Sequence, residues 1–481
     1  MTTETQGRDT QGRDFADWLS PMLVKELRQG MRSRVFVAAF YLTQVLMIMS
    51  VAFNLAASLS EDMPGELGVF LNGVFWFLIA LPLLFLMPVR GFSALHAEIK
   101  SGTLELVFLT HLSAWRIAAG KWTALMVQTL LVVCAILPYV LLRYYLGGVD
   151  ILEDLQRLFF LLMTSAVLTA VTVAMSPYES KLLRALFVIG MIFAVQFLAG
   201  ILLTWLTMGQ MMGAGGSVFQ SFLGIAIFVP ASVVLALELA ASKIAPAAEN
   251  HAIRKRLLAL GVLFIGAGLL VFGDDWIWGY WLAVAFLAPV IVDALSEPVQ
   301  VVRTVYQPFL QRGRIGKILG LFLTPGWPSG VWFTLLASVL CAMALVISGK
   351  ADDSSMTLSA VAFFGALIFP AMFIRLLMPN TKHFLGFYIG LQFFFAVVTV
   401  MVGIMTAISS NPFTTWLAWI PNCAFLLLST DQIKGDDVGI FSVVSVLATV
   451  ISFLILLILT SRPLRDIRET LGKDSSIHVH H

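Results

Sequence analysis

The chain is 481 residues long, 59% hydrophobic and only 12% charged, with a formal net charge of +2. A soluble domain carries roughly 25% charge, so this composition excludes a soluble enzyme or a nucleic-acid-binding domain and predicts an all-α polytopic membrane protein. The balance of charge says little about partners; its distribution along the chain says more.

Residues 1–17 are polar with mixed charges. They read as a disordered N-terminus, not as a cleavable signal peptide, since no small-residue cleavage site follows the first apolar run. Ser20-Pro21 gives an N-cap followed by proline at the first helical position, predicting a helix over about 20–34. It stripes Leu23, Leu27, Gly30 and Met31 on one side, while Lys25, Glu26, Arg28, Arg32 and Arg34 supply the charge. The pattern fits an interfacial helix with its cations near anionic head groups.

Apolar runs of about 20 residues then predict spans at about 35–57, 68–89, 122–146, 157–175, 183–206 and 219–242. The basic, proline-interrupted stretch 241–256 reads as the boundary between an 18–250 domain and a 251–481 domain. Further spans are predicted at about 257–272, 276–296, 330–348, 357–378, 384–407 and 438–461, ahead of a basic C-terminal tail. Pro421-Asn422 interrupts the short run 413–429, which reads as an interfacial or re-entrant piece. This total of about twelve spans, with both termini inside, leaves only Arg143, Arg157, Lys350 and Lys434 of the 30 Lys and Arg residues outside, a strong positive-inside bias.

Within the membrane, ionisable groups are the exceptions, because each costs about 2.5 kcal/mol or more at mid-bilayer. Arg143 is near enough to a span end to snorkel, and Glu238 with Lys243 reads as pairing at the inner interface. Asp150, Glu153 and Asp154 read as a solvated turn. Gln44, Asn54, Asn72, Gln128 and Gln196 suit helix–helix hydrogen bonds, and Pro82, Pro138 and Pro230 are expected to kink their spans. Cys134, Cys341 and Cys423 are dispersed in apolar runs and read as buried small hydrophobes, with no disulfide framework or zinc site.

Chemistry-bearing motifs are scarce. Gly313-Arg-Ile-Gly316-Lys317 lacks the spacing and hydroxyl of a phosphate loop, and neither His-Glu-x-x-His nor Gly-x-Ser-x-Gly occurs. The chain is therefore expected to be no enzyme, with no catalytic, cofactor or metal residues of its own. The cluster His478, His480 and His481 reads as a tail without functional meaning.

The most informative stretch is 98–121, EIKSGTLELVFLTHLSAWRIAAGK. Gly102 breaks it, Thr103 to Leu109 reads as a short helix presenting Leu104, Val107 and Phe108, and Glu105 and Thr110 flank that face. Ser113 is placed to cap a second short helix beginning Ala-Trp-Arg. An apolar helix face between two spans, with no bilayer to bury it in, calls for another protein surface.

Glu98, then Ser-Gly-Thr-Leu-Glu, Leu-Thr-His-Leu-Ser and Gly120-Lys121, resembles the cytoplasmic loop of ABC-2 type transporter permeases. The stretch Pro21–Arg34 resembles the same family's N-terminal connecting helix. The family's usual Thr-Pro-Leu-Ser is Thr110-His111-Leu112-Ser113 here. The resemblance covers roughly residues 18–250 and implies a six-helix, type V exporter-like half followed by a second helical membrane half. It implies an ATPase-coupling loop at Glu98, Gly102, Thr103, Leu104, Glu105, Val107, Phe108, Thr110, Leu112 and Ser113. It also implies a separate ABC ATP-binding subunit carrying ATP and Mg, a second permease domain as homodimer or heterodimer, a bacterial inner membrane, and export as the direction. A short re-entrant hairpin involving Val218 to Phe228 is implied as well. A secondary active transporter and a non-transporting membrane scaffold remain alternatives, the unmatched second half favouring the latter.

Overall fold

The structure, a computed structural model, describes residues 21–58, 65–100, 102, 113–146, 150–178, 185, 215–246, 248–272, 277–350, 354–379, 381, 383–408, 420–422 and 437–477. All the regular structure among them is helical. Among the described residues, ten helices are long and apolar enough to cross a membrane, so the chain is a multi-pass membrane protein. Apart from Ala185, the predicted span 183–206 lies outside the described residues, as do residues 1–17. The predicted span 257–272 falls within a 21-residue helix whose first turn is basic. The chain divides into two compact units, residues 1–176 and 177–481, and the 241–256 stretch lies inside the second.

In the first unit, α1 (Pro21–Met31) is followed by α2 (Arg34–Ser58) and α3 (Gly65–Ala80). The helix expected to reach Arg34 stops at Met31, because Ser33 closes one helix and opens the next. Its hydroxyl donates to the Gly30 carbonyl at 2.8 Å and accepts from Phe36 N at 3.3 Å. Arg34 thus belongs to α2.

The second span changes helical type at its proline. Pro82 lacks an amide hydrogen and crowds the preceding turn, and the helix widens to a π-helical stretch over Leu81–Leu86. It tightens again to 3-10 geometry at Arg90–Ser93 before α4 (His96–Lys100). Such π-to-3-10 irregularity is common where a helix must present groups to a site.

The helix after the 98–112 connection, α5 (Ala114–Leu146), is one 33-residue rod. Ser113 caps it as expected, accepting from Arg116 N at 3.4 Å, but no separate short helix precedes the span. α6 (Ile151–Met175) returns along α5 after Asp150 caps it through Leu152 N at 2.8 Å.

The second unit is built around an antiparallel pair, α8 (Ala252–Phe272) and α9 (Ile277–Ser296), preceded by α7 (Gly215–Ile244). Val218 to Phe228, expected in a short hairpin, are instead early turns of α7. Two short amphipathic helices, α10 (Arg303–Gln311) and α11 (Gly313–Leu323), fold back on each other through Gly313 at φ +65°. Four long helices follow: α12 (Trp327–Ile347), α13 (Ser354–Leu377), α14 (Phe384–Ile408) and α15 (Asp437–Ile477). The core gathers Tyr280, Leu287, Ile291, Phe333, Ile368 and Tyr388, each essentially sealed from solvent.

The basic tail expected after residue 461 is not separate from the last span: α15 runs unbroken for 41 residues, about 62 Å at the usual helical rise. Cys341 is buried as expected, but Cys134 is exposed on its helix surface. Cys423 and the histidine tail lie outside the described residues.

Candidate functional site

The first unit brings together, at one end, the two stretches singled out in the sequence. Lys121, near the start of α5, reaches Glu26 of α1 at 2.7 Å and Glu98 of α4 at 2.6 Å. The lysine is buried, whereas the two carboxylates keep 15% and 18% of their side-chain surface exposed. One cation therefore ties the N-terminal helix and the start of the 98–121 loop to a membrane span. The periodicity explains why Glu26 can do this: it lies on the inward side of α1 with Leu23, Leu27 and Gly30, while Lys25, Arg28, Arg32 and Arg34 are exposed. Met31, expected on the inward stripe, is 40% exposed.

Neighbouring contacts hold the same joint. Arg90 donates to the Gly30 carbonyl at 3.3 Å and to the Ser33 hydroxyl at 3.5 Å, with its guanidinium 5.2 Å from the centre of the Phe36 ring. A cation on the last carbonyls of α1 also complements the helix dipole. Gly30 is needed for close approach, since a Cβ there would stand 2.2 Å from Gln128 Nε2 on α5. The buried Ser176, just past α6, accepts from Leu95 N at 2.7 Å and His96 N at 3.0 Å, capping α4. Gly91 approaches α6 so closely that a Cβ would meet Thr172 Oγ1 at 2.2 Å.

Of the proposed coupling residues, Glu98 and Ser113 thus have defined partners, and Gly102 turns the chain at φ +68°. Thr103, Leu104, Glu105, Val107, Phe108, Thr110 and Leu112 lie outside the described residues. At the opposite end of α5, Arg143 does not snorkel. It is buried, donates to Asn72 Oδ1 at 2.7 Å and stacks 4.7 Å from the Phe75 ring centre, with Asp154 at 3.6 Å. Asp154 is 1% exposed and also pairs with Arg157 at 3.0 Å, so the expected solvated turn is in part a buried ion cluster. Burial of both charges is tolerable because each has partners.

The second unit contains a denser ionic cluster. Lys243 pairs with Asp293 at 2.9 Å, and Lys255 joins Asp293 to Glu297, the latter at 2.9 Å. Arg256, 1% exposed, pairs with Glu297 at 3.3 Å and donates to the carbonyls of Phe322 at 2.6 Å and Thr324 at 2.9 Å. Glu297 also accepts from Gly326 N at 3.0 Å, at a backbone φ of +118° that favours glycine. Glu238 and Lys243 are both paired, but not with each other. Glu238 takes His251 at 3.0 Å and Arg254 at 3.4 Å. The carboxylates of Glu238 and Glu249 accept hydrogen bonds from the His251 ring, and this raises the His251 pKa above the usual 6.5. Asp293 and Glu297 were not foreseen; their i,i+4 spacing near the end of an apolar run was the available signal.

A third polar group sits in the helix interior of this unit. Asn422 donates to the Ala366 carbonyl at 2.8 Å and to Gln392 Oε1 at 2.6 Å, and Gln392 reaches Tyr388 Oη at 3.1 Å. Ala366 lies midway along α13, and Pro421 abuts Gly365. Residues 421–422 therefore reach the level of a mid-helix residue, which does not fit an interfacial placement of these two residues. The rest of that segment, with its tryptophans, lies outside the described residues.

Among the described residues no group of three or more His, Cys, Asp or Glu side chains is arranged to hold a metal ion. No family model, curated protein or solved structure matches this chain.

Proposed function

We propose that this protein is the membrane-spanning permease subunit of an ATP-driven ABC transporter, working as an exporter. The observation that carries this reading is the Glu26–Lys121–Glu98 joint. It ties the N-terminal helix to the root of the 98–121 loop and to a span. A link of that kind gives a docked loop a way to pass a motion to the helices. In this reading both termini and the 98–121 loop are cytoplasmic, the membrane is a bacterial inner membrane, and ATP and Mg are held by a separate ATPase subunit. Two permease domains face each other across the transport path, so one chain supplies half of it.

The test is coupling. The double variant Leu104→Ala, Glu105→Arg is expected to leave the protein expressed and folded while separating ATP hydrolysis from transport. Unchanged transport in that variant would sink the assignment of the loop.

A second reading, a secondary transporter, draws on the interior group around Asn422. Interrupted helical elements meeting polar side chains at mid-span are the usual construction of such sites, and the Asn422 carbonyl oxygen is buried without a hydrogen-bond partner among the described residues. The ionisable residues near mid-membrane that this mechanism generally uses are missing from that group, so the first reading is preferred.

A further inference from the structure

One rim of the second unit collects the ends of six helices. α7 ends at Ile244, α9 at Ser296 and α13 at Leu377; α12 starts at Trp327 and α14 at Phe384; α15 passes from apolar to charged residues after Thr460. Ends of spans lie at the head-group level of a bilayer. At this rim is a cleft of about 660 Å³ whose walls include Tyr178, Lys243, Val301, Trp327, Arg375 and Phe384.

Arg375 is the unusual member. Its guanidinium lies 4.7 Å from the Trp327 ring centre and 4.3 Å from the Phe384 ring centre, and it donates to the Leu295 carbonyl at 3.0 Å. Its Nε is buried with no hydrogen-bond partner, and among the described residues no carboxylate pairs with it. The other charges at the cleft are occupied: Lys243 is held by Asp293, and Asp466 has a partner of its own. One uncompensated cation, fixed between aromatic rings, thus faces an otherwise largely apolar cleft at head-group depth.

The geometry points to a binding site for an anionic phospholipid, its phosphate against Arg375 and an acyl chain along the apolar wall. Arginine suits this task because its planar fork stays charged and matches phosphate oxygens, and basic clefts between spans are a known form of lipid-headgroup recognition. A free phosphate shares the charge chemistry but would leave the apolar wall unfilled. The site is independent of the transport reading, since it uses no residue of the first unit.

The experiment uses the full-length protein in neutral detergent, with thermal unfolding followed while short-chain phosphatidylglycerol, phosphatidylcholine of equal chain length or inorganic phosphate is added. Phosphatidylglycerol is expected to raise the midpoint saturably, and the other two to leave it unchanged. Arg375→Gln should weaken the apparent affinity about tenfold or more, the loss of a charge-assisted contact, and Arg375→Lys should recover part of it. Val301→Trp, which fills the cleft from its exposed edge without touching the guanidinium, should also abolish the effect and stands in if Arg375→Gln does not fold. Arg314→Gln, on the exposed face of α11, should behave as wild type. Equal stabilisation by the two lipids, or a phosphatidylglycerol effect that survives Val301→Trp, overturns the proposal. An equal effect of inorganic phosphate overturns its lipid assignment.

Discussion

The Lys121 joint of the first unit and the ionic cluster of the second handle charge near a membrane in different ways. In the first, one lysine serves two carboxylates on different helices, whose side chains keep 15% and 18% of their surface exposed. In the second, Lys243, Lys255 and Arg256 are interleaved with Asp293 and Glu297. Backbone carbonyls and a glycine amide complete the hydrogen bonding there. A sparse joint can open at modest cost, whereas a saturated buried network resists any rearrangement that exposes one of its charges. The difference suits a moving linkage in one unit and a fixed frame in the other.

Asp293→Ala should produce the largest effect. It strips Lys243 and Lys255 of a shared carboxylate, and breaking a buried pair from one side costs about 3–5 kcal/mol. A steep fall in folded yield and in thermal midpoint in detergent is expected. Lys255→Met should be milder, because Asp293 keeps Lys243 and Glu297 keeps Arg256. Equal losses from both variants would mean that the cluster is not balanced as described.

Lys121→Met should cost less, about 1–2 kcal/mol, since the side chains of the carboxylates it abandons are less deeply buried than Asp293. The same thermal assay reads this out. A loss as large as that of Asp293→Ala would erase the contrast between joint and frame.

The smallest effect belongs to His251, at the edge of the second cluster. Its folded pKa is raised above 6.5 through its hydrogen bonds to Glu238 and Glu249. The stabilisation is therefore complete below about pH 6.5 and disappears as pH rises through the raised value. The difference in thermal midpoint between wild type and His251→Gln should shrink as pH is increased across that window. A difference independent of pH would assign His251 a packing role only.

Much of the frame was legible in the sequence, because hydropathy and length locate spans without tertiary knowledge. The inward side of α1 was legible from its period, and the Ser113 cap from a serine placed one residue before a helical run. The partners of the charges were not. Lys121 and Glu26 are 95 residues apart in sequence, and nothing local marks the one as the other's counter-ion. Arg143 was misjudged for the same reason: nearness to a span end permits snorkelling, but Asn72 and Asp154 offer it a buried alternative. Pro82 marked a disturbance of the span, but not the π-to-3-10 passage that ends where Arg90 contacts α1.

The most direct test of the central claim is recovery of a partner from native membranes under gentle detergent. Full-length protein is captured alongside the Leu104→Ala, Glu105→Arg variant, and an ATP-binding subunit is sought in each. The account predicts that wild type brings an ATPase with it and that the variant, equally folded, does not. Folded wild-type protein recovered without any ATPase would contradict it.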